Sequence, residues 1–102
     1  RVVALLAAVV LEMEFIPTAD LNQTARYLRS IGIPATMVDA DRETITIEPK
    51  SYNQTMRKLV HIVPNLPDIY KLVWRAGSEE ATLYENWDLN FNSKFMCASF
   101  FL

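Results

Sequence analysis

The sequence predicts an α+β fold in which helices cover one antiparallel sheet, in the order βαββαβ with one or two further antiparallel strands towards the C-terminus. Two observations lead there. The stretch Ser51 to Val73 reads as a capped amphipathic helix, a proline stop and a strand. Part of that pattern also stands 31 positions earlier: Asn22-Gln23-Thr24-Ala25-Arg26-Tyr27-Leu28-Arg29-Ser30-Ile31 matches the run Asn53 to Ile62 at Asn, Gln, Thr, Arg, Leu and Ile. Two βαβ units in succession, each about thirty residues, are the pattern of a ferredoxin-like sandwich with an internal pseudo-twofold.

Each element has its own signal. The first strand is expected over Ala8 to Ile16, with Leu11, Met13 and Phe15 inward and Glu12 and Glu14 outward. Pro17 and Thr18 open the first helix, with Thr18 as N-cap and Asp20 in the first turn. Leu21, Ala25, Leu28 and Ile31 form its buried stripe, Gly32 supplies the left-handed C-terminal residue, and Pro34 prevents continuation. Ala35 to Ala40 and Glu43 to Glu48 form a hairpin around Asp41-Arg42, which places Val38 opposite Ile45 and Thr36 opposite Ile47.

Ser51 caps the second helix, and Gln54 completes an S-x-x-Q capping box. Met56, Leu59, Val60 and Val63 share one helical face, and Pro64 and Pro67 stop the run. Ile69 to Ala76 follows at period two, with Tyr70, Leu72 and Trp74 on one face and Lys71 and Arg75 on the other. Gly77 to Glu80 is a turn. Beyond it Leu83, Trp87, Leu89 and Phe91 alternate with Thr82, Tyr84, Asn86, Asp88 and Asn90, a strand in which Glu85 is the one misfit. A helix over Glu79 to Trp87 is the rival reading. Lys94 to Leu102, aromatic and apolar, is a further strand or a partner-bound segment.

One hundred and two residues form a single domain able to bury a two-layer core. A composition 51% hydrophobic with two glycines excludes disorder, and a net charge of −2 gives no global field for nucleic acid or an anionic membrane. The single cysteine, Cys97, excludes an intrachain disulfide and a cysteine-based metal cluster, and reads as a small buried residue. Arg1 in place of methionine points to a fragment or a processed product. The apolar run Val2 to Leu11 is too short to span a bilayer. Its second half reads as the start of a buried strand and its Ala-rich first half as helical, with a signal or anchor remnant as the other possibility.

No residue set points to catalysis, a metal or a cofactor. His61, the only histidine, faces away from the core stripe and has no partner at ligand spacing. Asp39, Asp41 and Glu43 alternate across the hairpin turn but lack the oxygen count and glycine of a calcium loop. Asn22-Gln23-Thr24 and Asn53-Gln54-Thr55 match the glycosylation triplet, in the opening turns of both helices. Arg26, Arg29, Arg57 and Lys58 read as a solvated helix face. Thr44-Ile45-Thr46-Ile47 has no aromatics to stack RNA bases, and Ile16 to Asp20 is no glycine-rich phosphate loop.

Ser51-Tyr52-x-Gln54, Leu59, and Asn65-Leu66-Pro67-x-Ile69 leading into a strand resemble one family. It comprises the bitopic inner-membrane platform proteins, or alignment subcomplex, of type IV pilus and type II secretion machines. The resemblance covers roughly Leu21 to Phe91, with Ile31-Gly32-Ile33 and the later alternating strand at corresponding places. The transmembrane helix and coiled coil of that family have no counterpart here, nor has the family a counterpart to the C-terminal tail.

The resemblance implies a non-catalytic assembly domain without cofactors, on the periplasmic side of a bacterial inner membrane and tethered only through an N-terminal anchor. The expected partner is a protein, as a homodimer or a paralogous heterodimer, and not nucleic acid. Trp74, Tyr84, Trp87 and Phe95 are the interface candidates, with ordinary core as the competing place for each and the favoured one for both tryptophans. A small-molecule-binding regulatory module of the same fold is the alternative.

Overall fold

The structure is a computed structural model that describes residues 8–88 and 92–95. The elements are β1 (Val9–Phe15), α1 (Leu21–Ser30), β2 (Ala35–Asp39), β3 (Thr44–Ile47), α2 (Tyr52–Ile62), β4 (Ile69–Ala76), β5 (Glu79–Asp88) and β6 (Asn92–Phe95). A short 3₁₀ turn over Val63–Asn65 follows α2, so Pro64 tightens the helix end before the chain leaves it. The strands form one antiparallel sheet in the order β2-β3-β1-β4-β5, with β6 paired outside β5. The α+β expectation is met. The sheet continues past β4 and is therefore not the four-stranded sheet of a simple ferredoxin-like sandwich.

β1 lies at the centre, between β3 and β4. Leu11, Met13 and Phe15 point into the core, where Ala25 and Leu28 of α1 and Met56 and Leu59 of α2 meet them. Leu11 is opposite Ile47 and Trp74, and Met13 is opposite Ile45 and Leu72, so each inward step of β1 extends into an apolar row across three strands.

Both helices are set by the same device. Asp20, not Thr18, is the N-cap of α1, and its Oδ1 accepts the Gln23 N–H at 3.0 Å. Pro17 and Thr18 form a turn instead, closed by the Ala19 N–H donating to the Ile16 carbonyl. Ser51 caps α2, with its Oγ accepting the Gln54 N–H at 3.3 Å. Asp20 and Ser51 are themselves 31 positions apart, so the repeated pattern includes its caps.

The two glycines fall at φ +87° (Gly32) and +62° (Gly77), both left-handed. Gly32 also lies under Lys58, whose ammonium would stand 2.7 Å from a Cβ at that position. The lysine instead donates to the Ile31 carbonyl at 3.1 Å, a cation at the C-terminus of α1. Arg29 turns its Nε to the Ala35 carbonyl at 2.8 Å. Arg29 and Lys58 are thus ties between elements, a correction to their reading as a merely solvated face.

Three β-bulges revise the expected faces. Between β1 and β4 the register steps from Glu14↔Lys71 to Phe15↔Ile69, leaving Tyr70 as the extra residue. Tyr70 therefore lies on the outer face, where its hydroxyl donates to Glu14 at 3.0 Å, and does not share a face with Leu72 and Trp74. Between β4 and β5 the step from Leu72↔Tyr84 to Val73↔Thr82 leaves Leu83 as the extra residue. Leu83 and Tyr84 are consequently both buried, and Glu85 turns outward opposite Lys71, which removes its misfit. The rival helix over this stretch is absent. In the hairpin Val38 does pair with Ile45, but a bulge between Ala35 and Met37 puts Ala35, not Thr36, opposite Ile47.

Replacing Asp20 or Ser51 by Ala should each lower stability by about 1 kcal/mol, the cost of an N-cap. Because the caps belong to different helices, urea unfolding of the double variant should show the two losses adding.

Candidate functional site

The outer, helix-free face of the sheet is ordered by charge. Glu12, at 8% exposure, has its Oε1 between Arg75 (3.2 Å) and Arg42 (3.4 Å), and Arg75 also reaches Glu80 at 3.4 Å. This cluster joins the β2–β3 turn to β1, β4 and β5. Its ion pairs are partly exposed, so their benefit lies in register more than in stability. Thr44 Oγ1 and Arg75 Nε are buried there with no hydrogen-bond partner among the described residues. Asp39 is committed to the turn, where its Oδ1 accepts the N–H groups of Asp41 (3.0 Å) and Arg42 (3.1 Å). No group of metal-ligating side chains converges among the described residues.

Tyr70 is perturbed on this face. Burial pushes its pKa above the ordinary value of 10.0, reinforced by its hydrogen bond to Glu14 and by the negative charges of Glu14 and Glu43. All these causes favour the neutral phenol.

The aromatic interface candidates do not form one patch. Tyr84 is 1% exposed and belongs to the core, so it has no surface to offer a partner. Tyr84 alternates with Leu83 in sequence yet is buried together with it, and the cause is the bulge at Leu83. Trp74 is half-buried and packs against the core, with Leu11 and Ala81 opposite it on the neighbouring strands. Trp87 and Phe95 sit on β5 and β6, with their side-chain surroundings outside the described part. Leu89, Phe91, Cys97, the tail beyond Phe95 and residues 1–7 also lie outside it.

Period-based reasoning missed the concave features. The most prominent is a cleft of about 590 Å³ where the start of α1 meets the end of α2. Its wall includes Asp20, Tyr27 and His61, with Leu66, Pro67 and Asp68 from the connection to β4. Tyr27 is 45% exposed on its rim, and His61 is exposed, as its helical phase predicts. The His61 carbonyl accepts from Asn65 Nδ2 at 3.2 Å, which fixes the turn that closes the cleft. Tyr27 is the position where the repeat departs from Lys58, a departure visible in the sequence but without meaning until the helices are placed side by side.

No protein-family model, curated protein or solved structure matches the chain. No helix among the described residues is long and apolar enough to cross a membrane.

Because the folded state holds the Tyr70 proton more tightly than the unfolded chain does, that contribution to stability is complete below pH about 10 and is lost as pH rises through the raised pKa. Tyr70→Phe should flatten the alkaline fall in unfolding free energy, read by urea titrations over that range. An unchanged alkaline slope in the variant contradicts the assignment.

Proposed function

We propose that this chain is a non-catalytic assembly domain of ferredoxin-like class, comparable to the periplasmic platform domains of type IV pilus and type II secretion machines. The observation that carries the reading is the open cleft between the two helices, with the exposed Tyr27 ring on its rim and Leu66 and Pro67 in its wall. An amphipathic aromatic beside apolar wall residues is the usual chemistry of an interface anchor. The class assignment is supported by the succession βαββαβ and by the inner strand order β2-β3-β1-β4, to which β5 is added. The partner is a second copy or a sister domain of the same fold, and the setting that accompanies the resemblance is the periplasmic side of the inner membrane.

A small-molecule-binding module is the second reading, favoured by the size of the same cleft, which falls in the range of ligand pockets. The two readings part in solution. Self-assembly predicts a reversible dimer in sedimentation equilibrium across micromolar concentrations, with Tyr27→Ala weakening it by about tenfold, the effect of losing roughly 1.4 kcal/mol at an anchor. A monomer at every concentration removes self-association. A metabolite that stabilises the domain by about 2.7 kcal/mol at 100 times its Kd selects the second reading.

A further inference from the structure

The internal repeat builds two clefts, and they differ in charge. The second, about 390 Å³, lies where the start of α2 meets the end of α1. Asp20, Gln23, Thr24 and Tyr27 in the first cleft correspond, 31 positions on, to Ser51, Gln54, Thr55 and Lys58 in the second. The first contains the carboxylates of Asp20 and Asp68. The second is lined by Arg29, Lys50 and Lys58 and by no carboxylate. Lys50 stands where the first copy has Ala19, and Lys58 where it has Tyr27, so two of the three cations are departures from the repeat.

These cations come from three places: the end of α1, the loop before α2, and α2 itself. Lys58 is held at the mouth by its bond to the Ile31 carbonyl, and Arg29 is held through Nε, which leaves its terminal amino groups to make further bonds. Lys50 is exposed and forms no ion pair among the described residues. Thr55, 6% exposed, also lines this cleft. Three cations from separate elements and the start of α2 thus converge on one concave space.

We propose that this cleft binds a phosphate monoester. Near neutral pH such a group bears close to two negative charges and three acceptor oxygens. It would accept from the Arg29 guanidinium, the two ammonium groups and the Thr55 hydroxyl, with the α2 N-terminus adding favourable potential. The site is separate from the Tyr27 cleft, and its occupancy does not depend on what that cleft binds.

The test is a titration of ¹⁵N-labelled protein with inorganic phosphate at constant ionic strength, followed at backbone amides. Gln54 and Thr55 should shift saturably, while Gln23 and Thr24, their counterparts in the acidic cleft, stay in place as an internal control. Lys50→Glu should weaken binding at least tenfold while leaving the remaining spectrum unchanged, since Lys50 is exposed and outside both helices. Glycerol 3-phosphate and phosphatidylcholine vesicles doped with phosphatidic acid then distinguish a soluble phosphate from the same group on a lipid. Equal shifts at both clefts, shifts reproduced by chloride or acetate, or full binding by the Lys50→Glu variant each overturn the proposal.

Discussion

The constraint on which the rest depends is the position of β1. It is the first strand in the described chain, yet it lies at the sheet's interior, hydrogen-bonded to β3 on one side and β4 on the other. Neither neighbour is adjacent to it in sequence, so each pairing must be reached by a chain that runs out along a helix and returns. The helices are held over the sheet by what β1 presents inward. Leu11, Met13 and Phe15 form the floor on which Leu28 and Leu59 pack. The opposite side of the same strand presents Glu12 to Arg42 and Arg75, so both faces of the sheet are registered on one seven-residue element.

Much of this was legible in residue patterns. The alternation Leu11-Glu12-Met13-Glu14-Phe15 and the periodicity of Leu28 and Leu59 depend on local geometry, which sequence reports directly. The pairing of Val38 with Ile45 followed because both strands needed one apolar face. What escaped was the bulges. A bulge inserts one residue without a composition signature, and it moved Tyr70 outward and Tyr84 inward. The N-cap of α1 was misplaced by two residues because Thr18 and Asp20 are both good caps, and only the turn at Pro17 decides between them.

The clefts were harder to see for a different reason. Each is assembled from the start of one helix and the end of the other, segments that are distant in sequence. The repeat makes the helices visible as copies, and the two clefts differ where the copies differ. Asp20 and Ser51, and Tyr27 and Lys58, are mismatches that line the two hollows, and with Asp68 in the first and Arg29 and Lys50 in the second they give them opposite charge. The buried positions Ala25, Leu28, Met56 and Leu59 are apolar in both copies, while Asp20 against Ser51 and Tyr27 against Lys58 differ at the clefts.

The most direct test of the central place of β1 is native-state hydrogen exchange. Amides of Leu11 to Glu14, with their partners in β3 and β4, should exchange only through global unfolding, while β2 opens at lower free energy. Exchange of the β1 amides as fast as those of β2, with a helix as the most protected element, would contradict it.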